Sequence, residues 1–131
     1  MTSIKVLLIE DDEEDAFFLR GMLRSSNGNN VSYEIEQVKC FAKGIERLEK
    51  ISADILLLDL TLPDSELFET FFKIKELSQK IPIIVLTGLA DEQVARRAVQ
   101  EGADNYLIKG EFQSDLLKHS ISNAIGKRRV K

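Results

Sequence analysis

The chain has 131 residues, which is the length of one ordinary domain. Its net charge of −4 and isoelectric point near 5.1 argue against nucleic-acid binding as the main activity. Cys40 is the only cysteine, which excludes an internal disulfide and a four-cysteine zinc site. No apolar run approaches the ~18–20 residues of a membrane span, and no signal-peptide pattern opens the sequence. We therefore expect a soluble cytoplasmic protein that binds neither nucleic acid nor a membrane.

Five segments of the chain have the pattern of β-strands. Four are short and nearly continuous apolar runs, which are typical of parallel strands covered on both faces. The fifth, at residues 31–38, alternates apolar and polar residues, as a half-exposed strand does. In chain order the predicted strands are Ile4–Ile9, Val31–Val38, Ile55–Leu58, Ile81–Leu86 and Tyr106–Ile108.

Apolar residues at helical spacing follow each predicted strand. Acidic residues open the first helical segment, where they complement the helix dipole. Gly102 predicts the end of the fourth helix, whereas Asn27–Asn30 and Pro63–Ser65 predict breaks before the second strand and the third helix. The residues that mark the five helices are Phe18, Leu19, Met22 and Leu23; Phe41, Ile45 and Leu48; Phe68, Phe71, Phe72, Ile74 and Leu77; Val94, Ala95, Ala98 and Val99; and Leu116, Leu117, Ile121 and Ala124.

Strands that alternate with helices predict a doubly wound α/β fold with right-handed crossovers. No repeat or linker interrupts the pattern, so we predict one domain over residues 1–126. We interpret the basic residues 127–131 as a solvated tail or the start of a removed segment, rather than as a ligand-binding patch. In such a fold the ligand crevice lies beyond the carboxyl ends of the strands.

Acidic residues stand at the carboxyl ends of two predicted strands. Glu10 and Asp11 follow the first strand, and Asp59 follows the third. Three carboxylates brought together would repel one another by several kcal/mol per close pair at an effective dielectric constant of about 20, and a divalent cation relieves that repulsion. Oxygen ligands without a nearby His or Cys favour Mg²⁺. Any one of these acids taken alone can equally be a helix cap or a turn former.

A hydroxyl and an ammonium group follow at the ends of the next two predicted strands. Thr87 precedes Gly88, which leaves room for a tetrahedral group, and Lys109 follows the fifth strand. Singly, these are an ordinary strand-end threonine and a solvated lysine. Together with the acids they predict a site where a carboxylate, held against Mg²⁺ and lysine, forms an acyl phosphate.

With these residues the sequence resembles the receiver domains of two-component response regulators, including chemotaxis-type single-domain regulators, from Val6 to the fifth helix. The resemblance implies a flavodoxin-like sheet of five parallel strands, (βα)5, in the order 2-1-3-4-5. It implies that Asp59 is the phosphoacceptor, and that Mg²⁺ is held by Glu10, Asp11, Asp59 and the backbone carbonyl of Thr61.

The same resemblance implies a conformational switch. Thr87 would move toward the phosphoryl group, Lys109 would pair with the acceptor and then with the phosphate, and Tyr106 would swing inward; a fixed strand aromatic is the alternative for Tyr106. The surface formed by helix four, strand five and helix five would then change for a downstream protein target. The implied phosphodonor is a sensor histidine kinase or a phosphotransfer protein, and a phosphorylation-dependent dimer is compatible with the resemblance. Self-catalysed phosphotransfer and dephosphorylation would be the only chemistry, so the chain is not expected to be an enzyme.

The sequence departs from the family pattern at two positions. Lys109 is followed by Gly110 where the family usually has proline after a cis bond; we expect a trans bond here, because a cis bond before a non-proline residue costs about 2.5–4 kcal/mol, and a positive φ at Gly110. Leu67 stands where a glycine often follows the acceptor loop. Two other classes stay open: a pseudo-receiver that only makes protein contacts, and a phosphohydrolase similar to haloacid dehalogenases, which usually needs a further acidic pair on a late strand.

Overall fold

The computed structural model describes residues 2–25, 30–61, 67–77 and 80–129. Within these ranges, strands and helices alternate along the chain, and a 3₁₀ turn at Leu89–Asp91 precedes the fourth helix. The elements are β1 (Thr2–Ile9), α1 (Glu13–Arg24), β2 (Val31–Val38), α2 (Phe41–Lys50), β3 (Ile55–Asp59), α3 (Leu67–Leu77), β4 (Ile83–Thr87), α4 (Glu92–Gln100), β5 (Asn105–Ile108) and α5 (Ser114–Arg129).

The strands form one parallel sheet in the order β2-β1-β3-β4-β5. This confirms the predicted flavodoxin-like α/β fold and its strand order. The three central strands β1, β3 and β4 come from continuous apolar runs, and residues 55–59 and 83–87 are buried throughout. The alternating segment β2 lies at one edge and is only partly buried, because an edge strand is covered on fewer sides.

The core has two halves, one on each face of the sheet. Successive residues of a strand point to opposite faces, so Leu7 and Leu56 join one half while Leu8 and Leu57 join the other. Helices α1 and α5 cover the half with Leu8, and α2, α3 and α4 cover the half with Leu7. Each fully buried leucine contributes about 1.5–3 kcal/mol relative to an exposed one.

Helical spacing located all five helices but did not identify every buried face. Phe18 is 55% exposed and Leu116 is 48% exposed, although both helped to mark their helices. The buried face of α1 is formed instead by Ala16, Leu19 and Leu23. An apolar residue next to a core position in a helix can therefore itself be exposed.

Several predicted boundaries differ from those of the structure. β4 begins at Ile83 rather than Ile81, and the intervening Pro82 has no N–H to donate to a strand ladder. The predicted boundary after Gly126 falls inside α5, which continues to Arg129. The predicted breaks at residues 27–29 and 63–65 lie outside the described residues. None of the described helices combines the length and apolar character needed to cross a membrane.

The end of α4 confirms the prediction made for Gly102. This residue has φ +122, a conformation that glycine adopts without a side-chain penalty. Its N–H donates to the Val99 carbonyl at 3.1 Å, and the next N–H, that of Ala103, donates to the Ala98 carbonyl at 2.9 Å, which is the Schellman arrangement. The Lys75 ammonium from α3 donates to the Glu101 carbonyl, so the last turn of α4 is also tied to α3.

We expect opposite effects from adding a methyl group at two glycines. Gly102→Ala should lower the free energy of unfolding by about 1–3 kcal/mol, because alanine is strained at positive φ and its Cβ would meet the Lys75 ammonium. Gly21→Ala, in the exposed middle of α1 with no atom within 4 Å of the new Cβ, should raise it by about 0.5–1 kcal/mol. Urea unfolding of both variants measures the two changes in the free energy of unfolding. Equal effects would contradict the assignment of Gly102 as the positive-φ residue that ends α4.

Candidate functional site

Polar side chains meet where the carboxyl ends of four parallel strands come together. Glu10 directly follows β1, Asp59 ends β3, Thr87 ends β4 and Lys109 follows β5. The parallel register places Asp59 opposite Leu86, next to Thr87. The side chains of Glu10, Asp59 and Thr87 are fully buried, so these polar groups lie at the edge of an otherwise apolar sheet.

The acids from β1 and β3 form one compact cluster. One carboxylate oxygen from each of Glu10, Asp11 and Asp59 lies within 4.8 Å of the others. Glu10 and Asp59 are buried, whereas Asp11 is exposed. A set of oxygen ligands with one side open to water fits Mg²⁺, which binds a few carboxylates and keeps several waters.

Asp59 has a fixed orientation because both of its oxygens are engaged. Its Oδ1 accepts hydrogen bonds from the backbone N–H of Thr61 at 2.9 Å and from the Thr61 hydroxyl at 2.7 Å. Its Oδ2 accepts from the Lys109 ammonium at 3.1 Å. The role of the Thr61 carbonyl as a metal ligand stays a prediction.

The ammonium of Lys109 contacts three carboxylates. Its Nζ lies 2.7 Å from Glu10 Oε1, 3.0 Å from Asp15 Oδ2 and 3.1 Å from Asp59 Oδ2. The contact with Glu10 Oε1 is close but is not aligned as a hydrogen bond, since no donor meets hydrogen-bond geometry at that oxygen. Lysine thus supplies the positive charge that a cluster of buried acids requires.

The loop after β5 has the conformation expected of the Lys-Gly pair. The described residues contain no cis peptide bond, and Gly110 has φ +85. The N–H of Lys109 donates to the Thr87 carbonyl at 2.8 Å, and the N–H of Glu111 donates to the Ile108 carbonyl at 3.0 Å. The trans bond and the positive φ predicted for this loop are therefore confirmed.

The buried charges shift one another's proton affinities. Burial and a hydrogen bond with Asp59 raise the pKa of Glu10 to about 8. Burial alone would raise the pKa of Asp59, but hydrogen bonds with Glu10 and Thr61 and the charge of Lys109 lower it. Burial would lower the pKa of Lys109, whereas the close contact with Glu10 and the charge of Asp59 raise it. Near neutral pH and without a metal, Glu10 holds the proton and Asp59 is the ionised carboxylate.

Thr87 contributes a buried hydroxyl without a hydrogen-bond partner among the described residues. Leaving such a group unpaired costs about 1–3 kcal/mol, which calls for an explanation. The backbone beside it is open, because a Cβ on Gly88 would meet no atom within 4 Å. A group that accepts a hydrogen bond at this strand end would satisfy the hydroxyl.

Tyr106 points toward α4. Its hydroxyl donates to Glu92 Oε2 at 2.8 Å and accepts from Arg96 Nε at 3.3 Å. Glu92 and Arg96 also pair with each other at 3.1 Å. The half-buried ring packs against the core half that contains α4, so the position of Tyr106 depends on this helix.

Sequence reasoning missed Asp15 as a member of the site. It took the acids of residues 13–15 only as complements to the dipole of α1. The four-residue spacing from Asp11 to Asp15 is not a helical signal, because α1 begins at Glu13 after the capping residue Asp12 and Asp11 lies outside it. The contact of Asp15 with Lys109 is set by how α1 lies against the sheet.

A comparison with models of protein families identifies the family of the chain. The model of the response regulator receiver domain matches residues 6–121, which is most of the chain. The protein therefore belongs to the response regulator receiver domain family.

A curated relative is the cell cycle response regulator CtrA of Brucella ovis. It is 32% identical over 114 residues, which make up 87% of this chain and 47% of that protein. The CtrA proteins of several other Brucella species match equally. The chain spans about half the length of the curated relatives that it matches.

Solved structures of receiver domains are similar to the chain over nearly its whole length. The receiver domain of the sensor histidine kinase PA1611 from Pseudomonas aeruginosa, whose structure has a magnesium ion coordinated in the active site cleft, is 26% identical with a TM-score of 0.77 and covers 95% of this chain and 99% of its own. A CheY-like receiver domain protein from Methanospirillum hungatei is 23% identical with a TM-score of 0.81, covers 98% of both chains and supports the fold alone.

We expect the metal-free protein to become less stable as the pH rises from about 5 to 8. Between the ordinary pKa of a glutamate, 4.5, and the folded value of about 8, the folded protein holds a proton that the unfolded chain has lost. The free energy of unfolding should therefore fall by up to about 1.4 kcal/mol per pH unit. Asp59 and Lys109 stay charged in both states across this range and add no slope.

Urea unfolding in the presence of a chelator measures this dependence. Glu10→Gln is the matched control, because it keeps the shape of the side chain and removes the titration. A stability that is flat or rises over this range in the wild type would contradict the proton assignment.

Proposed function

We propose that this receiver domain accepts a phosphoryl group on Asp59 in a Mg²⁺-dependent reaction and transmits the change to partner proteins. The observation that carries the proposal is the surroundings of Asp59. It is an ionised, oriented carboxylate beside an acid pair, an ammonium and an unpaired hydroxyl. Few roles other than covalent catalysis or metal binding require so many polar groups at a buried strand end.

In the proposed reaction a carboxylate oxygen of Asp59 attacks the phosphorus of the donor. An O–P bond forms and the bond between phosphorus and the leaving group breaks. The leaving group departs with the electron pair of that bond and takes a proton from solvent if it is basic enough to need one. Glu10, Asp11, Asp59 and the Thr61 carbonyl are the proposed ligands of Mg²⁺. When bound, the ion would offset negative charge between the carboxylate and the phosphoryl oxygens.

Lys109 and Thr87 are the proposed partners of the transferred group. Lys109 Nζ already lies 3.1 Å from Asp59 Oδ2, so a small movement brings it to a phosphoryl oxygen. The unpaired Thr87 hydroxyl can donate a second hydrogen bond to that group. Both contacts form only when a phosphoryl group is present, and they stabilise the phosphorylated state over the free one.

Movement of Thr87 is the proposed origin of the signal. Thr87 ends β4, Tyr106 lies on the neighbouring β5, and the Tyr106 hydroxyl is bonded to α4. A shift at Thr87 would let Tyr106 turn inward and release its bonds to Glu92 and Arg96. The surface of α4, β5 and α5 would then change through a shift between two existing states.

The proposed setting is a cytoplasmic signalling pathway. The family membership supports a sensor histidine kinase or a phosphotransfer protein as phosphodonor, and a protein target downstream. The chemistry on Asp59 would be self-catalysed transfer and hydrolysis of its own phosphoryl group, without turnover of an external substrate. A dimer that forms on phosphorylation is part of the same proposal.

Intact-mass measurement after incubation with acetyl phosphate and Mg²⁺ tests the acceptor. We expect wild-type protein to gain one phosphoryl group and Asp59→Asn to gain none, and a chelator should prevent the gain. Asp115→Asn, an exposed acid in the first turn of α5, is the control and should behave as wild type. Labelling of Asp59→Asn, or none in the wild type, would reject Asp59 as the acceptor.

NMR spectra with a beryllofluoride mimic test the switch. We expect the signals of Thr87, Tyr106 and α4 to shift in the wild type, because the Thr87 hydroxyl would now have a partner. Thr87→Ser keeps the hydroxyl and should retain the shifts at Tyr106, whereas Thr87→Ala should lose them. Equal shifts at Tyr106 in the serine and alanine variants would show that Thr87 does not transmit the change.

A further inference from the structure

One of the three carboxylates around Lys109, that of Asp15, is neither part of the cluster of Glu10, Asp11 and Asp59 nor the proposed phosphoacceptor. Asp15 Oδ2 lies 3.0 Å from Nζ, between the distances of the other two partners. Two of the contacts, those with Asp15 and Asp59, are hydrogen bonds from the ammonium, whereas the contact with Glu10 is not aligned as one. Asp15 comes from α1, 94 residues before Lys109 in the sequence.

The backbone of the loop after β5 does not by itself fix the direction of the Lys109 side chain. The next residue, Gly110, has positive φ and no atom within 4 Å of where a Cβ would stand. The stem of Lys109 also borders a cavity of about 340 Å³, lined in part by Phe18, Met22 and Phe112. A flexible four-carbon stem beside open space has many conformations available, so contacts at the ammonium must select one.

Asp15 is itself well placed to make that selection. It lies in the first turn of α1, and its N–H donates to Oδ1 of the capping residue Asp12 at 2.9 Å. The next residue, Ala16, is fully buried in the core, which fixes the helix at this point. The Asp15 side chain is 36% exposed, so it can hold the ammonium without being shut inside the acid cluster.

We propose that Asp15 is a positioning residue that holds the Lys109 ammonium over Asp59 for the transfer reaction. This inference rests on the proposed function of the site. Glu10 and Asp59 would share their charge with a bound Mg²⁺, and Asp59 becomes the phosphorylated group, an acyl phosphate. Asp15 is the one of the three partners whose charge stays available to Lys109 throughout the reaction. Asp15 therefore orients the side chain of Lys109, in a loop where glycine follows the lysine.

Phosphorylation rates at saturating Mg²⁺ give the first test. Asp15→Asn should slow labelling by acetyl phosphate about fivefold, the scale expected when a partly exposed charge pair that orients a reacting group is lost. Asp15→Glu should restore most of the rate. Glu14→Gln is the matched control, because it removes the same charge from the same helical turn but not from the three partners of Lys109.

The NMR signal of the Lys109 ammonium in metal-free protein gives a second test that needs no phosphorylation. We expect a slowly exchanging signal in the wild type and in Glu14→Gln, and a signal broadened by exchange with water in Asp15→Asn. A wild-type rate and signal in Asp15→Asn would overturn the proposal, as would faster labelling of Asp15→Asn alone, which would mean that Asp15 competes for the lysine. If wild-type protein takes up no phosphoryl group, the proposed function fails, and the ammonium signal still decides whether Asp15 holds Lys109.

Discussion

The site depends on one ammonium group that makes buried carboxylates compatible with an apolar sheet. Without Lys109, Glu10 and Asp59 would lie side by side at the buried carboxyl ends of β1 and β3, with no opposite charge at contact distance among the described residues. Burial would then protonate both acids. With the lysine in place one of the two remains ionised, and this is the carboxylate that two hydrogen bonds from Thr61 already orient. An ionised carboxylate is thus maintained at the edge of a hydrophobic core.

The parallel sheet explains why residues so distant in sequence meet. Asp59 and Lys109 are 50 positions apart, and Asp15 and Lys109 are 94 apart. Each lies at or just beyond the carboxyl end of a strand or at the start of the helix that follows. Because the strand ends are aligned, an acid after one apolar run and a lysine after another must come close. The fold supplies the proximity, and side-chain contacts supply the orientation.

Much of this arrangement was predictable from the sequence, for a physical reason. Continuous apolar runs as short as residues 55–58 favour buried strands over helices. Polar residues that follow several such runs stand at the edge of the sheet where the crevice lies. Contacts set by tertiary packing were not predictable. The pairing of Asp15 with Lys109 depends on how α1 lies against the sheet, and the bond from Tyr106 to Glu92 depends on the position of α4. The exposure of Phe18 was not predictable either, because helical spacing alone does not show which apolar residue faces the core.

The two ends of α4 are attached in different ways. Its carboxyl end is closed by backbone hydrogen bonds around Gly102 and by the Lys75 ammonium of α3. Its first turn is tied to β5 through the Tyr106 hydroxyl, which donates to the partly buried side chain of Glu92. Several backbone hydrogen bonds resist displacement more than a hydrogen bond between two side chains does. A rearrangement that starts near Thr87 would therefore rotate α4 about its carboxyl end at Gly102. A partner protein that binds α4 would then meet the largest displacement at the amino end of the helix.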